Sequence, residues 1–322
     1  MNNMNYNSPM NEYSFKLEKL RISLTTRCNL NCIKCDIPKM KKVELDTNQI
    51  KNAIKDASKL GAKSISLTGG EPTVREDIFD IIRYASKKNM EVGMVTNGTL
   101  VDENFAIELA KSGLDHINVS LDGLKEKDEK IRGKGNFEKT VNAIKHLNGR
   151  ISSISIETVI LKENYLYLTD VLKLASNLNI KNISFQLFSD RFLIQKNKKR
   201  ISNLEIKGNE IEKLKREIDK LIILSKLYGI NINDKYLQLV PDYLSKNLNF
   251  LLMKQNCLAP FRQFAISPNG DVKTCWAYDV IGNIHKDSLT KLCSSINLNK
   301  LLESVKNGNC PGCLLVCYQK FY

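Results

Sequence analysis

Short apolar segments alternate with longer amphipathic segments over the first 190 residues of the chain. In the longer segments apolar residues recur about every 3.6 positions, which predicts helices with one buried face. The predicted strands are 20–25, 64–68, 91–96, 116–121, 151–160 and 181–187, and the predicted helices between them are 47–60, 75–89, 102–113, 137–148 and 166–178. This alternation predicts an α/β fold in which parallel strands are joined by right-handed crossovers.

The pattern changes after residue 190. Residues 191–207 are charged and of low complexity, which predicts a loop, and residues 208–228 have the periodicity of a long amphipathic helix. We therefore expect three parts: 1–190, then a charged loop and bridging helix in 191–250, then a small cysteine-rich part in 251–322.

Three cysteines follow the first predicted strand. Cys28, Cys32 and Cys35 form a C-x3-C-x2-C pattern. Three thiolates on one loop can bind three irons of a [4Fe–4S] cube and leave the fourth iron open to a small molecule. The triplet taken alone is also compatible with a zinc knuckle.

A glycine pair and a carboxylate follow the second predicted strand. Gly69 and Gly70 allow the backbone to approach a ligand closely, and the carboxylate of Glu71 can accept hydrogen bonds from a ligand ammonium. Taken alone, the tripeptide is more typical of an ordinary turn between a strand and a helix.

Together, the two motifs resemble those of the radical S-adenosylmethionine (SAM) superfamily. Other segments agree: Thr96-Asn97-Gly98, Asn118-Val119-Ser120-Leu121-Asp122-Gly123, Ile131-Arg132-Gly133 and Phe137. The resemblance covers residues 15–190 and implies a partial (β/α)6 TIM-type barrel. In such barrels the ligand loops follow the carboxyl ends of the strands, where Cys28, Gly69, Asn97 and Ser120 are expected.

The resemblance also implies a role for each motif. The cysteine triplet would ligate a catalytic [4Fe–4S] cluster that binds SAM and cleaves it reductively, and the resulting 5′-deoxyadenosyl radical would abstract hydrogen from an unreactive C–H bond. The implied SAM contacts are Gly69, Gly70 and Glu71 for the methionyl amine, and Asn97, Ser120 and Asp122 for the ribose or the methionyl end.

One position departs from the family pattern. Lys34 stands where the family usually has an apolar residue, just before the third cysteine. We expect its aliphatic stem to cover the adenine of SAM while its ammonium group reaches solvent.

The C-terminal part holds six of the nine cysteines, which are Cys257, Cys275, Cys293, Cys310, Cys313 and Cys317. A predicted hairpin over 264–274 joins the first two. Spacing alone slightly favours zinc over a second Fe–S cluster. However, the run from Cys257 through Gly270 to Cys275 resembles the start of the SPASM and twitch extensions of radical SAM enzymes, which implies an auxiliary [4Fe–4S] cluster.

The implied ligands of this auxiliary cluster are Cys257 and Cys275 with two of Cys310, Cys313 and Cys317. We favour Cys310 and Cys313, and Cys317 is the alternative to either. Cys293 fits no cluster motif. It is interpreted as a buried core cysteine. The more specific alternative is that it donates a hydrogen atom to a substrate radical.

Composition narrows the class of protein. No apolar stretch is long enough to span a membrane, and the Asn-rich start of the chain lacks the apolar core of a signal peptide, which predicts a cytoplasmic protein. Nine cysteines in that compartment favour metal or redox chemistry over disulfides.

The net charge is +14. This charge follows from a general abundance of lysine, or else it forms a basic face for an acidic partner such as a flavodoxin, a ferredoxin or an acidic peptide. Nucleic acid is not expected, because the densest basic run, 196–200, contains no aromatic residues.

The implied function is therefore that of a radical SAM oxidoreductase or maturase. The leading substrate is a peptide or protein that is crosslinked, epimerised or oxidised, and the alternative is a small molecule of a sugar-alcohol or tetrapyrrole pathway. A non-catalytic Fe–S or zinc protein is the alternative from another class. The related molybdenum-cofactor enzyme that cyclises GTP is rejected, because its C-terminal cysteine spacing and Gly-Gly tail are absent here.

Overall fold

The computed structural model describes residues 14–190, 193, 198–246, 257–310 and 313–314. Within these residues ten strands form one sheet in the order β10-β9-β8-β1-β2-β3-β4-β5-β6-β7. The strands are β1 Lys19–Ser23, β2 Ser64–Thr68, β3 Glu91–Thr96, β4 His116–Ser120, β5 Ser153–Ile160, β6 Asn182–Leu187, β7 Asn231–Ile232, β8 Gln263–Ile266, β9 Asp271–Lys273 and β10 Gly282–Asn283. All neighbours from β8 to β7 are parallel.

Helices connect the parallel strands, and two more follow the last strand. They are α1 Thr47–Lys59, α2 Ile78–Ser86, α3 Glu103–Lys111, α4 Lys125–Arg132, α5 Asn136–Leu147, α6 Leu168–Asn177, α7 Lys198–Leu204, α8 Asn209–Tyr228, α9 Asp234–Leu244, α10 Ala259–Arg262, α11 Leu289–Cys293 and α12 Ile296–Lys306. Short 3₁₀ turns lie at Ile37–Lys39 and Pro72–Val74. The predicted α/β class with a partial barrel is confirmed.

The two faces of the sheet differ in polarity. In β1, for example, Leu20 and Ile22 are fully buried whereas Arg21 between them is half-buried, and β2, β4 and β6 alternate in the same way. Because successive strand residues point to opposite faces, the apolar set packs under the helices and the other set lines the concave face. The concave set includes Arg21, Ser23, Ser66, Thr68, Asn118, Ser120, Glu157 and Ser184.

The C-terminal part is built into the same sheet as the barrel. β8 pairs in parallel with β1, so that Lys19 lies opposite Gln263 and Ile22 opposite Ile266. The predicted hairpin over 264–274 is present as the antiparallel pair β8 and β9. The rings of Phe15 and Phe264 also stack at 4.8 Å. Strand pairing thus ties the cysteine-bearing hairpin directly to the strand that precedes the first cysteine triplet.

Several elements differ from the predictions. The loop predicted over 191–207 is wrong in part, because α7 forms there and buries Leu204. Helices α4 and α9 and strand β7 were not predicted. α4 was missed because it buries Asp128 and Arg132 beside a single buried isoleucine, so that its sequence lacks an apolar period. No helix among the described residues is both long enough and apolar enough to cross a membrane.

Candidate functional site

Two backbone segments meet at the carboxyl ends of β1 and β2. Gly70 N donates to Thr25 O at 2.7 Å, and Glu71 N donates to Arg27 O at 2.9 Å. A Cβ on Gly70 would lie 2.2 Å from Arg27 O, and one on Gly69, whose φ is +143°, would lie 2.7 Å from Thr25 O. The glycine pair is therefore required where the backbone passes close to the start of the cysteine loop, a contact that the sequence analysis had assigned to a ligand.

The Glu71 carboxylate holds the turn after β2 against the end of β3. One oxygen accepts from Thr73 N at 3.1 Å, Thr73 Oγ1 at 2.7 Å and Thr96 Oγ1 at 2.7 Å, and the other accepts from Asn97 N at 2.6 Å. Glu71 is 1% exposed. Four donors thus converge on this buried carboxylate, three of them on one oxygen and one on the other. This geometry favours a positioning role for the side chain over direct contact with a ligand amine.

Asn97 links the end of β3 to the cysteine loop. Its amide nitrogen donates to Asn29 Oδ1 at 2.8 Å and lies 4.0 Å from Cys28 Sγ. Its amide oxygen accepts from Thr99 N at 2.9 Å. The structure thus brings Gly69, Gly70, Glu71 and Asn97 together beside Cys28, as their positions at strand ends predicted.

Asp122 lies at the centre of a buried charge cluster. Its carboxylate pairs with the Lys34 ammonium and with Arg132 Nη1 at 3.3 Å, and it accepts from Val159 N at 2.8 Å. Burial alone would raise the pKa of Asp122, but Lys34 and Arg132 together hold it below its usual value. Asp122 is fully buried, and its carboxylate is held between Lys34 and Arg132.

The expectation for Lys34 is corrected by this cluster. Its side chain is 12% exposed, and its ammonium group turns inward to Asp122 and does not reach solvent. The buried carboxylate attracts the ammonium more strongly than solvent does, because Coulomb attraction is stronger in the less polarisable interior.

Ser120 and Glu157 face each other at the concave surface. Ser120 ends β4 and is paired in register with Glu157 of β5. Both are half-buried. Burial raises the pKa of Glu157, while Lys34 and Arg21 act to lower it. Glu157 was missed by sequence reasoning, although its position in an otherwise apolar and hydroxyl-bearing strand was a signal that could have identified it.

The cysteine loop is braced from outside by α7. Arg200 donates to Ile33 O through Nη2 at 2.8 Å and to Cys35 O at 3.4 Å, and it pairs with the carboxylate of Asp36. Asp36 is only 2% exposed. Arg200 lies in the stretch that was expected to be a loop, so this contact was not predictable from sequence.

Three C-terminal cysteines lie near one side chain. Tyr278 has Cys310, Cys275 and Cys257 as its charge-bearing neighbours. Cys275 is 6% exposed, and the other two are half-buried. The structure therefore brings together three of the predicted auxiliary ligands from three separate segments.

The remaining cysteines occupy different places. Cys313 lies in the wall of a cleft, beside Leu314, whose carbonyl accepts from the Tyr236 hydroxyl at 3.1 Å. Cys317 falls outside the described residues. Cys293 ends α11 and packs against the core, and burial raises its pKa to about 11. This environment favours the core interpretation of Cys293 over a hydrogen-atom donor.

Comparison with known families identifies both parts of this arrangement. The model described as the radical SAM superfamily matches residues 22–175, and one described as an iron-sulfur cluster-binding domain, SPASM, matches residues 257–317. A GTP 3′,8-cyclase of Clostridium perfringens is 30% identical over 285 residues, which is 84% of this chain and 84% of that protein. The chain belongs to the radical SAM superfamily.

Other similar proteins share the fold but differ in substrate. The Fe-coproporphyrin III synthase of Methanosarcina barkeri is 24% identical over 302 residues, 88% of this chain and 75% of that protein. SuiB of Streptococcus suis bound to S-adenosylmethionine superposes with a TM-score of 0.72 at 18% identity, covering 90% of this chain and 69% of SuiB. The anSMEcpe structure with AdoMet and the Cp18Cys peptide gives a TM-score of 0.70 at 21% identity, covering 90% and 83%.

This radical SAM enzyme uses a [4Fe–4S] cluster and SAM, and its SPASM part carries auxiliary iron-sulfur binding. The cysteine loop is suited to a cluster in burial and in charge. Cys28, Cys32 and Cys35 are half-buried, and burial raises the pKa of Cys28 to about 11. The Cys28 thiol is therefore neutral until iron displaces its proton.

Two cations are placed to offset the charge of the resulting thiolates. Lys34 acts to lower the pKa of Cys35, although burial raises it overall. The buried Arg132 guanidinium acts on Cys32, and its Nε atom has no hydrogen-bond partner among the described residues. No three His, Cys, Asp or Glu side chains in the described ranges are arranged to enclose a single metal ion.

The brace from α7 leads to a testable expectation. Replacing Arg200 with Gln removes one of the two charged partners of Asp36 and three hydrogen bonds to two loop carbonyls, at a cost of about 2 kcal/mol in the folded loop. We expect Arg200→Gln to lose iron to a chelator several-fold faster than the wild type, measured anaerobically by absorbance. The control is Arg216→Gln on α8, where the arginine side chain is 72% exposed. Equal iron loss in both variants would contradict the brace.

Proposed function

We propose that this radical SAM enzyme modifies a peptide or protein substrate by crosslinking, epimerisation or oxidation of a residue. The observation that carries the proposal is a cleft of about 680 Å³ beside the carboxyl ends of β5 and β6. Such a volume lies well within the range of ligand sites and is large enough for a short stretch of peptide.

The lining of the cleft is mixed in character. Apolar side chains from the barrel, from α8 and from α9 line it, including Ile160, Leu187, Leu204, Ile211, Tyr243 and Leu244. Its charged residues are Asp190, Glu205, Lys207 and Lys246, and Lys207 pairs with Glu205 at 2.7 Å. Two acids thus balance two lysines.

This balance of charge separates the candidate substrates. A triphosphate or a porphyrin with several carboxylates would need an excess of Arg and Lys, and the described residues of the cleft show no such excess. A peptide with apolar anchors and mixed charges suits the lining better. The cleft also includes Cys313 in its wall, so that a substrate held there lies beside a proposed ligand of the auxiliary cluster.

The proposed roles of the residues follow from their places. Cys28, Cys32 and Cys35 would hold the catalytic cluster, and the backbone at Gly69 and Gly70 would contact the methionyl amine of SAM. When bound, the cluster and SAM supply a 5′-deoxyadenosyl radical that abstracts hydrogen from a C–H bond.

Further residues would position these groups. Glu71 and Asn97 would fix the loop that carries Cys28, and Asp122 would hold Lys34 and Arg132 beside the thiolates. Ser120 would face the ligand from the end of β4. Cys257, Cys275 and Cys310, with Cys313 or Cys317, would hold the auxiliary cluster.

A small-molecule reaction is the second candidate. It is favoured by the similarity of the chain to the GTP 3′,8-cyclase and to the Fe-coproporphyrin III synthase over most of its length. The C-terminal cysteine spacing argues against GTP. The balanced charge of the cleft argues against both GTP and a porphyrin.

Separate reactions with each candidate substrate test which substrate class the enzyme modifies. Reconstituted enzyme with SAM and dithionite is offered short peptides encoded beside the gene, GTP, and Fe-coproporphyrin III in separate reactions. We expect 5′-deoxyadenosine coupled to a change in a peptide, seen by mass spectrometry as loss of two hydrogens or as incorporation of deuterium. Conversion of GTP or the porphyrin, with every peptide unchanged, would overturn the proposal.

A variant that narrows the cleft tests whether the peptide binds there. Ile211→Trp narrows the cleft from α8, while Leu227→Trp adds the same ring on that helix at a side chain that is 75% exposed. We expect at least a tenfold loss of peptide product in the first variant, with SAM cleavage retained, and little change in the second. Equal product from both would mean that the peptide does not bind in this cleft.

We further propose that an acidic flavodoxin or ferredoxin of the cytoplasm docks beside the cysteine loop. Lys39, Lys41 and Lys42 are exposed just after the triplet. Ile33, inside the triplet, and Met40, between Lys39 and Lys41, are 40% and 44% exposed. An apolar centre with a basic rim is the complement of an acidic redox partner, and charge of this kind raises the association rate.

Charge reversal tests this surface. We expect Lys41→Glu with Lys42→Glu to slow SAM cleavage supported by reduced flavodoxin by about tenfold at low salt. Cleavage supported by dithionite should be unchanged. Lys145→Glu with Lys139→Glu on α5 changes the net charge equally and serves as the control. If the lysine substitutions slow dithionite-supported cleavage equally, they disturb the cluster loop itself and not the docking of the flavodoxin.

A further inference from the structure

Tyr278 follows Cys275 in a tight turn. Tyr278 N donates to Cys275 O at 3.4 Å, and Ala277 N donates to Cys275 Sγ at the same distance. The turn directs the phenol ring back toward the cysteine from which the turn begins.

The Tyr278 hydroxyl is buried and has no hydrogen-bond partner of ordinary geometry within the described ranges. A buried hydroxyl without a partner costs about 1–3 kcal/mol, so native structures rarely retain one without reason. The ring is held by packing against the core, which fixes where the hydroxyl points.

The surroundings of this hydroxyl are sulfur. The charge-bearing groups that act on it are Cys310, Cys275 and Cys257, with Cys310 contributing most after burial itself. The oxygen is therefore close to the thiols that we propose as auxiliary ligands.

We propose that the Tyr278 hydroxyl donates a hydrogen bond to a sulfur of the auxiliary cluster, either a ligand thiolate or a bridging sulfide, and raises the reduction potential of that cluster. A donor directed at sulfur stabilises the extra negative charge of the reduced state more than that of the oxidised state. Tyr278 is thus a positioning and tuning residue and not a ligand. The inference rests on the proposed ligand set of Cys257, Cys275 and Cys310.

The test isolates the auxiliary cluster. Tyr278→Phe is made in the Cys28/Cys32/Cys35→Ala background, so that only C-terminal iron remains, and the parent background is measured beside it. Phe fills the same space without the hydroxyl. Tyr84→Phe on α2, where the ring lies between Lys51 and Lys88, is the matched control.

Iron per chain and an electron paramagnetic resonance titration of the reduction potential are the measurements. We expect Tyr278→Phe to keep the iron of its parent and to shift the potential to more negative values, while Tyr84→Phe shifts nothing. An unchanged potential would overturn the hydrogen bond, and loss of iron would show instead that Tyr278 is a ligand. If the parent itself holds no iron, the proposed ligand set is wrong and the inference falls with it.

Discussion

The geometry of the site depends on the close contact between two backbone segments, Thr25–Arg27 and Gly69–Glu71. Two hydrogen bonds join them, and a side chain on Gly70 would overlap a carbonyl of the partner segment. Because the first segment leads into Cys28, the contact fixes the direction in which the cysteine loop leaves β1. The buried Glu71 carboxylate extends the same contact to the end of β3 through Asn97. Loop, turn and strand end therefore form one rigid unit.

Positive charge is distributed around this unit in two layers. Lys34 and Arg132 are held inward by Asp122, close to the thiols whose charge they offset. Arg200 holds the loop from outside through its carbonyls and Asp36. Exposed lysines lie beyond it. Much of the net charge of +14 is spread along the chain. Near the cysteine loop, however, positively charged side chains hold the loop in place and offset the charge of its thiols.

Local patterns in the sequence predicted the α/β fold with parallel strands and the meeting point of the motifs, while the family resemblance implied its barrel form. Period and alternation placed the strands and helices of the barrel, because each buries one apolar face. Motifs at strand ends were expected to converge, and Cys28, Gly70 and Asn97 do so. Lys34 and Arg200 were misplaced or missed because their partners, Asp122 and Asp36, are distant in sequence, so that only the fold brings them together. The pairing of β8 with β1 is likewise non-local.

The account requires two separate iron sites on one scaffold built around a single sheet. Anaerobic reconstitution and iron counting in the wild type and in the Cys28/Cys32/Cys35→Ala variant test this requirement most directly. About eight irons per chain that fall to about four would agree with one cluster on the loop and one held by the C-terminal cysteines. About four irons that fall to none would contradict the auxiliary cluster, and with it the assignment of Cys257, Cys275 and Cys310.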